Sequence, residues 1–275
     1  MVRQPSRIRA GAEGSRGRSQ GTGPIPSPRG ALGAPGRYRR SVIRRLLLWD
    51  VDGTLVRAGD LGAAVFDVAL EDTLGIRPTF RVRMSGKTDP EIVREYLLQL
   101  GISETEGLVD EVLRSAGVHL AAAAASGELR AGGRACSGAG EVLALLASEP
   151  RVVSTLLTGN IAPNAMLKVA AFGLDHWLDL AIGAYGSDAA DRNRLVPIAL
   201  GRLASERGVL LEPDDVWVIG DTPRDLECAR VAGARCLLVA TGRYRLGELA
   251  VLGADAVLKD LSDATAVVKL LAGDL

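Results

Sequence analysis

The sequence has few cysteines and histidines, and it has no long apolar run. The three cysteines, Cys136, Cys228 and Cys236, lie far apart, so they form neither a disulfide framework nor a Cys-x-x-Cys metal pattern. The two histidines, His119 and His176, are isolated, which excludes a His/Cys zinc cluster. No apolar stretch approaches the roughly 20 residues of a membrane-spanning helix. We therefore expect a soluble protein of a reducing compartment, located in the cytoplasm.

Charge is balanced over the whole chain but not along it. Of 33 basic and 33 acidic residues, residues 1–45 hold eleven arginines and one acid, which leaves 22 basic and 32 acidic residues for 46–275. The first 40 residues are also rich in Gly, Pro and Ser, so we expect 1–43 to be a disordered basic extension. Such a segment could contact nucleic acid or act as an organelle-targeting peptide. We favour an extension without a role, and we do not expect nucleic acid or a membrane as a partner.

From residue 44 onward, short apolar runs alternate with helical patterns, which is typical of a parallel sheet with crossover helices. The apolar runs are rich in Val, Ile and Leu without clean alternation, as in strands that are covered on both faces. The predicted strands are 45–50, 152–157, 179–184, 215–219, 235–239 and 255–258, and the predicted helices are 139–148, 163–172, 195–207, 223–232, 245–252 and 263–272.

Residues 60–130 depart from this alternation. Three amphipathic helices are predicted there, at 60–74, 90–100 and 104–125, and Asp89 is a candidate N-cap ahead of Pro90. No convincing strand lies between them. We therefore predict an α/β fold with a Rossmann-like parallel sheet core, formed by 44–57 and 133–275, and an inserted all-helical cap, formed by 58–132.

Three of the predicted strands end in polar, glycine-containing segments. Asp50 and Asp52 follow the first strand, 158–160 (TGN) follows the second, and Asp221 and Asp225 follow the strand at 215–219. Ligands of open parallel sheets bind at the carboxyl ends of the strands. Carboxylates that meet in one pocket repel each other by roughly 4 kcal/mol per pair at about 4 Å, so they need a cation. All-oxygen ligation favours Mg²⁺.

The segments "DVDGTLV" (50–56), "LLTGN" (156–160) and "VIGDTPRDLECARVAGA" (218–234), in this order, resemble motifs one, two and four of the haloacid dehalogenase-like superfamily. The layout is similar to the phosphoglycolate phosphatase and phosphoglucomutase branch, which has a helical cap between motifs one and two. The resemblance implies a Mg²⁺-dependent phosphatase that hydrolyses a small phosphomonoester through an aspartyl-phosphate intermediate. The expected partner is therefore a small phosphorylated metabolite.

The resemblance also implies roles for the aspartates. Asp50 would be the nucleophile, and Asp52 would protonate the leaving group and then deprotonate the attacking water. Mg²⁺ would be held by the Asp50 carboxylate, the Asp52 main-chain carbonyl and the Asp221 carboxylate, with Asp225 in support. The phosphoryl group and substrate would meet a set of smaller groups around these carboxylates: Gly53, Thr54, the Thr158 hydroxyl, Gly159 and Asn160.

Two cationic positions are less determined. The family places a lysine or arginine ahead of the helix at 195–207, and this sequence has "GSDAADRNRLVPIAL" there without a lysine. Either Arg192 or Arg194 must then pair with the nucleophile, and we favour Arg192 because it precedes the predicted helix. In the cap, Lys87 of "MSGKTDPEI" either reads the substrate or is a solvated lysine at the start of a helix.

Two other functions fit the same residues. A phosphosugar mutase of the same superfamily would use the same nucleophile but return the phosphoryl group to a sugar. A non-catalytic phosphate-binding protein would keep the pocket without the reaction. The oligomeric state, monomer or homodimer, stays open.

Overall fold

The computed structural model describes residues 43–273, which lie within one compact unit, Arg40–Leu275. The predicted N-terminal extension lies outside the described residues, except for Ile43. The strands are β1 Arg45–Trp49, β2 Val56–Arg57, β3 Arg134–Ala135, β4 Val152–Thr158, β5 Ala184–Tyr185, β6 Val216–Gly220, β7 Arg235–Val239 and β8 Ala256–Leu258. The α-helices are α1 Leu61–Leu74, α2 Asp89–Leu100, α3 Leu108–Ser126, α4 Glu128–Gly132, α5 Ala139–Ala147, α6 Ala162–Ala171, α7 Leu195–Arg207, α8 Pro223–Ala232, α9 Leu246–Ala250 and α10 Ala264–Ala272.

Six strands form one parallel sheet in the order β5, β4, β1, β6, β7, β8. β1 lies between β4 and β6, and its side chains enter two different apolar clusters. Leu46 and Leu48 pack on one face of the sheet, and Leu47 and Trp49 pack on the other. The predicted α/β class with a Rossmann-like parallel sheet is thus confirmed. β1 is apolar at successive positions because both of its faces are covered.

The insert between β2 and β3 is helical. β2 and β3 pair antiparallel, with Val56 opposite Ala135 and Arg57 opposite Arg134, and this two-stranded ribbon joins helices α1–α4 to the sheet. Helices α1–α3 share an apolar cluster, which includes the fully buried Leu70 and Tyr96 and extends to Ile161 after β4. The insert is thus stabilised by its own buried apolar surface. No helix of residues 43–273 combines the length and the apolar character needed to cross a membrane.

Some local predictions were wrong. Residues 179–184 do not form a strand: Leu180–Ile182 is a turn of 3₁₀ helix that buries Ile182, and the edge strand β5 has only Ala184 and Tyr185. Asp89 is not the N-cap of α2. Thr88 takes that position, because its hydroxyl accepts from the Glu91 N–H at 3.4 Å.

Candidate active site

The site lies at the carboxyl ends of three neighbouring strands. Asp50 follows β1, Thr158 ends β4, and Asp221 follows β6. Because β1 is the middle strand of the three, the polar residues that follow it lie between those of its two neighbours. Asp50 itself is held by its N–H, which donates to the Ile219 carbonyl at 2.9 Å. The sheet therefore brings the three sequence motifs to one place.

Of the two arginines ahead of α7, Arg192 is the one that contacts the buried carboxylates. It lies in a turn of 3₁₀ helix, Arg192–Arg194, just before α7, and its guanidinium is buried. Nη2 lies 3.1 Å from Asp50 Oδ1 and 2.6 Å from Asp225 Oδ1. Burial lowers the pKa of Arg192, but the two carboxylates more than offset this and hold it above its ordinary value. Arg194, the other candidate, is exposed to solvent.

Three buried carboxylates can share one metal ion. Asp50, Asp221 and Asp225 each have an oxygen within 4.8 Å of the other two. Asp221 Oδ1 is buried without a hydrogen-bond partner among the described residues, whereas Asp225 is already occupied. Its Oδ1 accepts from Arg192, and its Oδ2 accepts from the N–H and hydroxyl of Thr222. The donor set fits a divalent cation with oxygen ligands, and Asp225 fits as a supporting residue.

Burial, together with the neighbouring carboxylates, raises the pKa of two of these carboxyls. It raises the pKa of Asp50 to about 6, despite Arg192, with Asp225 and Asp52 adding to the increase. The pKa of Asp221 rises to about 9, again mainly through burial and then through Asp225 and Asp50. An unpaired carboxylate is costly in such surroundings, so this pocket favours a bound cation.

Gly53 allows the turn after Asp52 to approach Asp221. Its φ of +92° lies in the left-handed region, and a Cβ there would come within 2.6 Å of Asp221 Oδ2. Gly242 packs against the same carboxylate, and a Cβ there would lie 1.6 Å from Oδ2. Two stretches of backbone that are remote in sequence therefore lie directly against the Asp221 side chain. Thr54, next to Gly53, is fully buried, and its hydroxyl has no partner among residues 43–273.

Asp52 has a different environment from Asp50. Its side chain is 43% exposed, and its Oδ2 accepts hydrogen bonds from Asn160 Nδ2 at 2.7 Å and from Lys168 Nζ at 2.6 Å. Asn160 also donates to the Thr158 hydroxyl at 2.9 Å, and its Oδ1 accepts from Lys168 at 2.7 Å. Asn160 and Lys168 thus hold Asp52 in one orientation beside Thr158, which the sequence placed on a separate strand.

Lys168 was missed in the sequence. It lies on α6 and is only 6% exposed, on the face that also buries Ala165 and Val169. A lysine at a core-facing position of an amphipathic helix is unusual and could have been found from the helical pattern. Its burial is explained by the paired carboxylate of Asp52.

The loop before α2 lies against the loop after β4. The Asp89 N–H donates to the Gly159 carbonyl at 2.7 Å, and Asp89 Oδ2 accepts from the Ile161 N–H at 2.8 Å. Asp89 is 5% exposed, and burial raises its pKa to about 7, although Lys168 and the Ile161 N–H act in the opposite direction. Lys87 is not freely solvated: its side chain is 13% exposed, and Nζ contacts the Glu95 carboxylate.

A cavity of about 240 Å³ lies where these groups meet. Its lining combines the predicted site residues of the sheet with residues of the insert: Asp50, Asp52, Gly59, Gly62, Ala63, Phe66, Met84, Ser85, Gly86, Lys87, Asp89, Ile92, Thr158, Gly159, Asn160, Lys168, Arg192 and Asp221. Gly53, Thr54 and Asp225 are not part of this wall. Gly53 packs against Asp221, and Asp225 contacts Arg192.

Comparisons with known proteins agree with this picture. The HAD-hydrolase-like family model matches residues 193–264. The comparison with curated proteins finds no match. The solved structure of CbbY from Rhodobacter sphaeroides in complex with phosphate has 21% identity and a TM-score of 0.62, over 80% of this chain and 96% of that chain. A CbbY mutant in complex with xylulose-(1,5)bisphosphate has 20% identity and a TM-score of 0.63, over the same shares of 80% and 96%.

A predicted phosphoglycolate phosphatase from Haemophilus somnus has 18% identity and a TM-score of 0.56, over 82% of this chain and 98% of that chain. At these identities the similarity establishes the fold. The resemblance drawn from the motifs is therefore confirmed: residues 193–264 match the HAD-hydrolase-like family model, and the chain shares the fold of these solved structures.

Proposed function

We propose that the protein is a Mg²⁺-dependent phosphatase that hydrolyses a small phosphomonoester through an aspartyl-phosphate. One observation carries this proposal. Asp50 and Asp52 belong to the same turn and face one cavity, but their surroundings differ. Asp50 is buried against Arg192 and two further carboxylates, whereas Asp52 is half-exposed and is bound by Asn160 and Lys168. A nucleophile and a separate proton carrier need this division.

The Asp50 and Asp221 carboxylates and the Asp52 main-chain carbonyl would hold Mg²⁺, with Asp225 supporting them through its contact with Arg192. The unpartnered Asp221 Oδ1 supports this assignment. When bound, Mg²⁺ would neutralise the carboxylates and the phosphoryl oxygens, so that an anionic substrate can enter.

The chain's own residues would carry the two chemical steps. Asp50 attacks phosphorus while Asp52 gives a proton to the departing alkoxide oxygen. Asp52 then takes a proton from the water that cleaves the aspartyl-phosphate. Arg192 holds Asp50 in place through Oδ1, and the Thr158 hydroxyl lies where it can donate to a phosphoryl oxygen. Asn160 and Lys168 keep Asp52 directed into the cavity.

We propose that residues 58–132 act as a cap that closes the cavity over the substrate. The helices of the insert pack around one apolar cluster, and the insert contributes Phe66, Met84 and Ile92 to the cavity wall. A wall built from two units can exclude water from the phosphoryl group. We place the activity in the cytoplasm, since the three cysteines are free and buried, as suits a reducing compartment.

The test is Mg²⁺-dependent hydrolysis of p-nitrophenyl phosphate by the wild-type protein and by Asp50→Asn. We expect Asp50→Asn to lose activity by about a thousandfold or more, because no other group can form the covalent intermediate. Activity that survives Asp50→Asn would refute the proposal. Product analysis with a hexose 1-phosphate separates hydrolysis from phosphosugar mutase activity, which would return the phosphoryl group to the sugar.

A further inference from the structure

Asp89 is a buried carboxylate in the cavity wall that the proposed reaction does not use. It belongs to the insert, not to the three motifs, and it is 5% exposed. Its Oδ2 accepts from the Ile161 N–H, whereas no hydrogen-bond donor contacts its Oδ1 among residues 43–273. Oδ1 can therefore accept a hydrogen bond from a group that is bound in the cavity.

The position of Asp89 is well defined. Its N–H donates to the Gly159 carbonyl, and Oδ2 is bound by Ile161, so both its backbone and its side chain are tied to the loop that carries Thr158 and Asn160. A substrate whose phosphoryl group lies on that loop would therefore place its leaving group near Asp89. The insert also contributes the apolar Phe66, Met84 and Ile92 and one cation, Lys87, to this wall.

The cations that line the cavity are already paired with carboxylates. Within the described chain they are Lys87, Lys168 and Arg192. Lys87 contacts Glu95, Lys168 contacts Asp52, and Arg192 contacts Asp50 and Asp225. Arg192 and Mg²⁺ would serve the phosphoryl group, so no uncommitted cation is left for a second anionic group of the substrate. The cavity is also smaller than the roughly 300–1,000 Å³ of typical ligand pockets.

We propose that Asp89 selects the leaving group of the substrate. Its Oδ1 accepts a hydrogen bond from a hydroxyl or ammonium group of the leaving group, and its charge excludes leaving groups that carry a carboxylate or a second phosphate. This inference rests on the proposed function only in requiring that a phosphomonoester occupies the cavity. It sets this chain apart in substrate class from proteins that bind sugar bisphosphates.

The test measures binding in the Asp50→Asn protein with Mg²⁺ by calorimetry, so that no ligand is consumed. The measurements are made at pH 8.5, above the pKa of about 7 to which burial raises Asp89, so that Asp89 carries its charge. The ligands are glycerol 3-phosphate and phosphoethanolamine, which carry donors, and phosphoglycolate, which carries a carboxylate. We expect the two donor ligands to bind at least tenfold more tightly than phosphoglycolate, because like charges within a desolvated cavity repel strongly. This ratio of affinities is measured in a protein that keeps Asp89.

Asp89→Asn, added to Asp50→Asn, is expected to reduce that ratio by tenfold or more, mainly through tighter binding of phosphoglycolate. Asparagine still offers an acceptor to the Ile161 N–H. Thr88→Val is the matched control. Thr88 also ties this loop to the core, since its hydroxyl donates to the Ala190 carbonyl at 2.7 Å, but it carries no charge. Thr88→Val should weaken all three ligands alike and leave their ratio unchanged.

Three results would each overturn the inference. Phosphoglycolate could bind as tightly as the donor ligands, Asp89→Asn could leave the ratio of affinities unchanged, or Thr88→Val could change that ratio as much as Asp89→Asn does. Failure of all three ligands to bind would also overturn it. If the wild-type protein hydrolyses none of them while the binding ratio holds, the proposed reaction is wrong and the selection by Asp89 stands.

Discussion

The metal-free protein should lose stability as the pH rises from 6 to 8, because Asp221 is forced to ionise inside the fold. Burial raises the pKa of this carboxyl to about 9, whereas in an unfolded chain it ionises near pH 4. Between about pH 4 and pH 9 the folded protein therefore binds a proton that the unfolded chain does not. Folding takes up this proton, so raising the pH opposes folding.

The magnitude follows from proton linkage. One extra bound proton changes the free energy of unfolding by about 1.4 kcal/mol per pH unit, so two units amount to about 2.7 kcal/mol. For a domain of this size, 1 kcal/mol shifts Tm by about 2–4 °C. Asp221 alone should therefore lower Tm by about 5–10 °C between pH 6 and pH 8. Asp50, with a pKa of about 6, and Asp89, with a pKa of about 7, also lose protons in this range and add to the decrease.

The assay is thermal unfolding in EDTA at several pH values, with the wild-type protein and Asp221→Asn. Asparagine does not titrate, so the variant should show a flatter pH dependence, read best between pH 7 and pH 8. Asp89, with a pKa of about 7, contributes to both proteins and mainly below that interval. Mg²⁺ should stabilise the wild-type protein more at pH 8 than at pH 6, because binding requires ionised ligands. Equal slopes for the two proteins, or no loss of Tm in EDTA, would refute this reasoning.

Three further substitutions test the contacts around the carboxylates. Arg192→Gln should cost about 3–5 kcal/mol in the free energy of unfolding and most of the activity, because it leaves two buried carboxylates unpaired. The exposed Arg194→Gln should stay within about 0.5 kcal/mol of wild type in urea unfolding, and equal losses for the two would contradict the assignment. Asp52→Asn should slow the first turnover of an alkyl phosphate by about 10²–10⁴-fold. The first turnover of p-nitrophenyl phosphate should slow far less, because p-nitrophenolate leaves without a proton. Equal losses for the two substrates in rapid-quench measurements would rule out the acid role. Lys168→Met should lower kcat by about tenfold, because it releases Asp52 and Asn160. Substitution of the exposed Lys269, Lys269→Met, should leave kcat unchanged. An unchanged kcat in Lys168→Met would show that this lysine does not act in the site.

Local patterns were enough to locate the sheet and the ends of its strands. An apolar run that stops at Asp50, and similar runs that stop at Thr158 and Asp221, can only be buried strands with polar ends, because an isolated charge is not tolerated within such a strand. The helices of the insert were also predictable from their amphipathic patterns. The strand at 179–184 was wrong because Ile182 can be buried equally well by a 3₁₀ turn at the sheet edge.

Which side chains meet at those strand ends depends on the tertiary structure. Arg192 and Arg194 are two residues apart and chemically identical, yet one is buried between Asp50 and Asp225 and the other is exposed, because the turn before α7 directs only the first inward. Lys168 is 116 residues from Asp52 in sequence, and their pairing could not be read from the motifs.

The sequence by itself determined which residues are candidates for binding a cation, attacking phosphorus and carrying a proton, because these candidates are side chains of suitable chemistry at strand ends. The tertiary structure decided how the charged groups of the cavity wall are paired. Asp50 contacts Arg192, Asp52 contacts Lys168, and Lys87 contacts Glu95, whereas Asp89 accepts from the Ile161 N–H and has no ion pair among residues 43–273. Charge pairing depends on distances between segments that are remote in sequence, and those distances exist only in the folded chain.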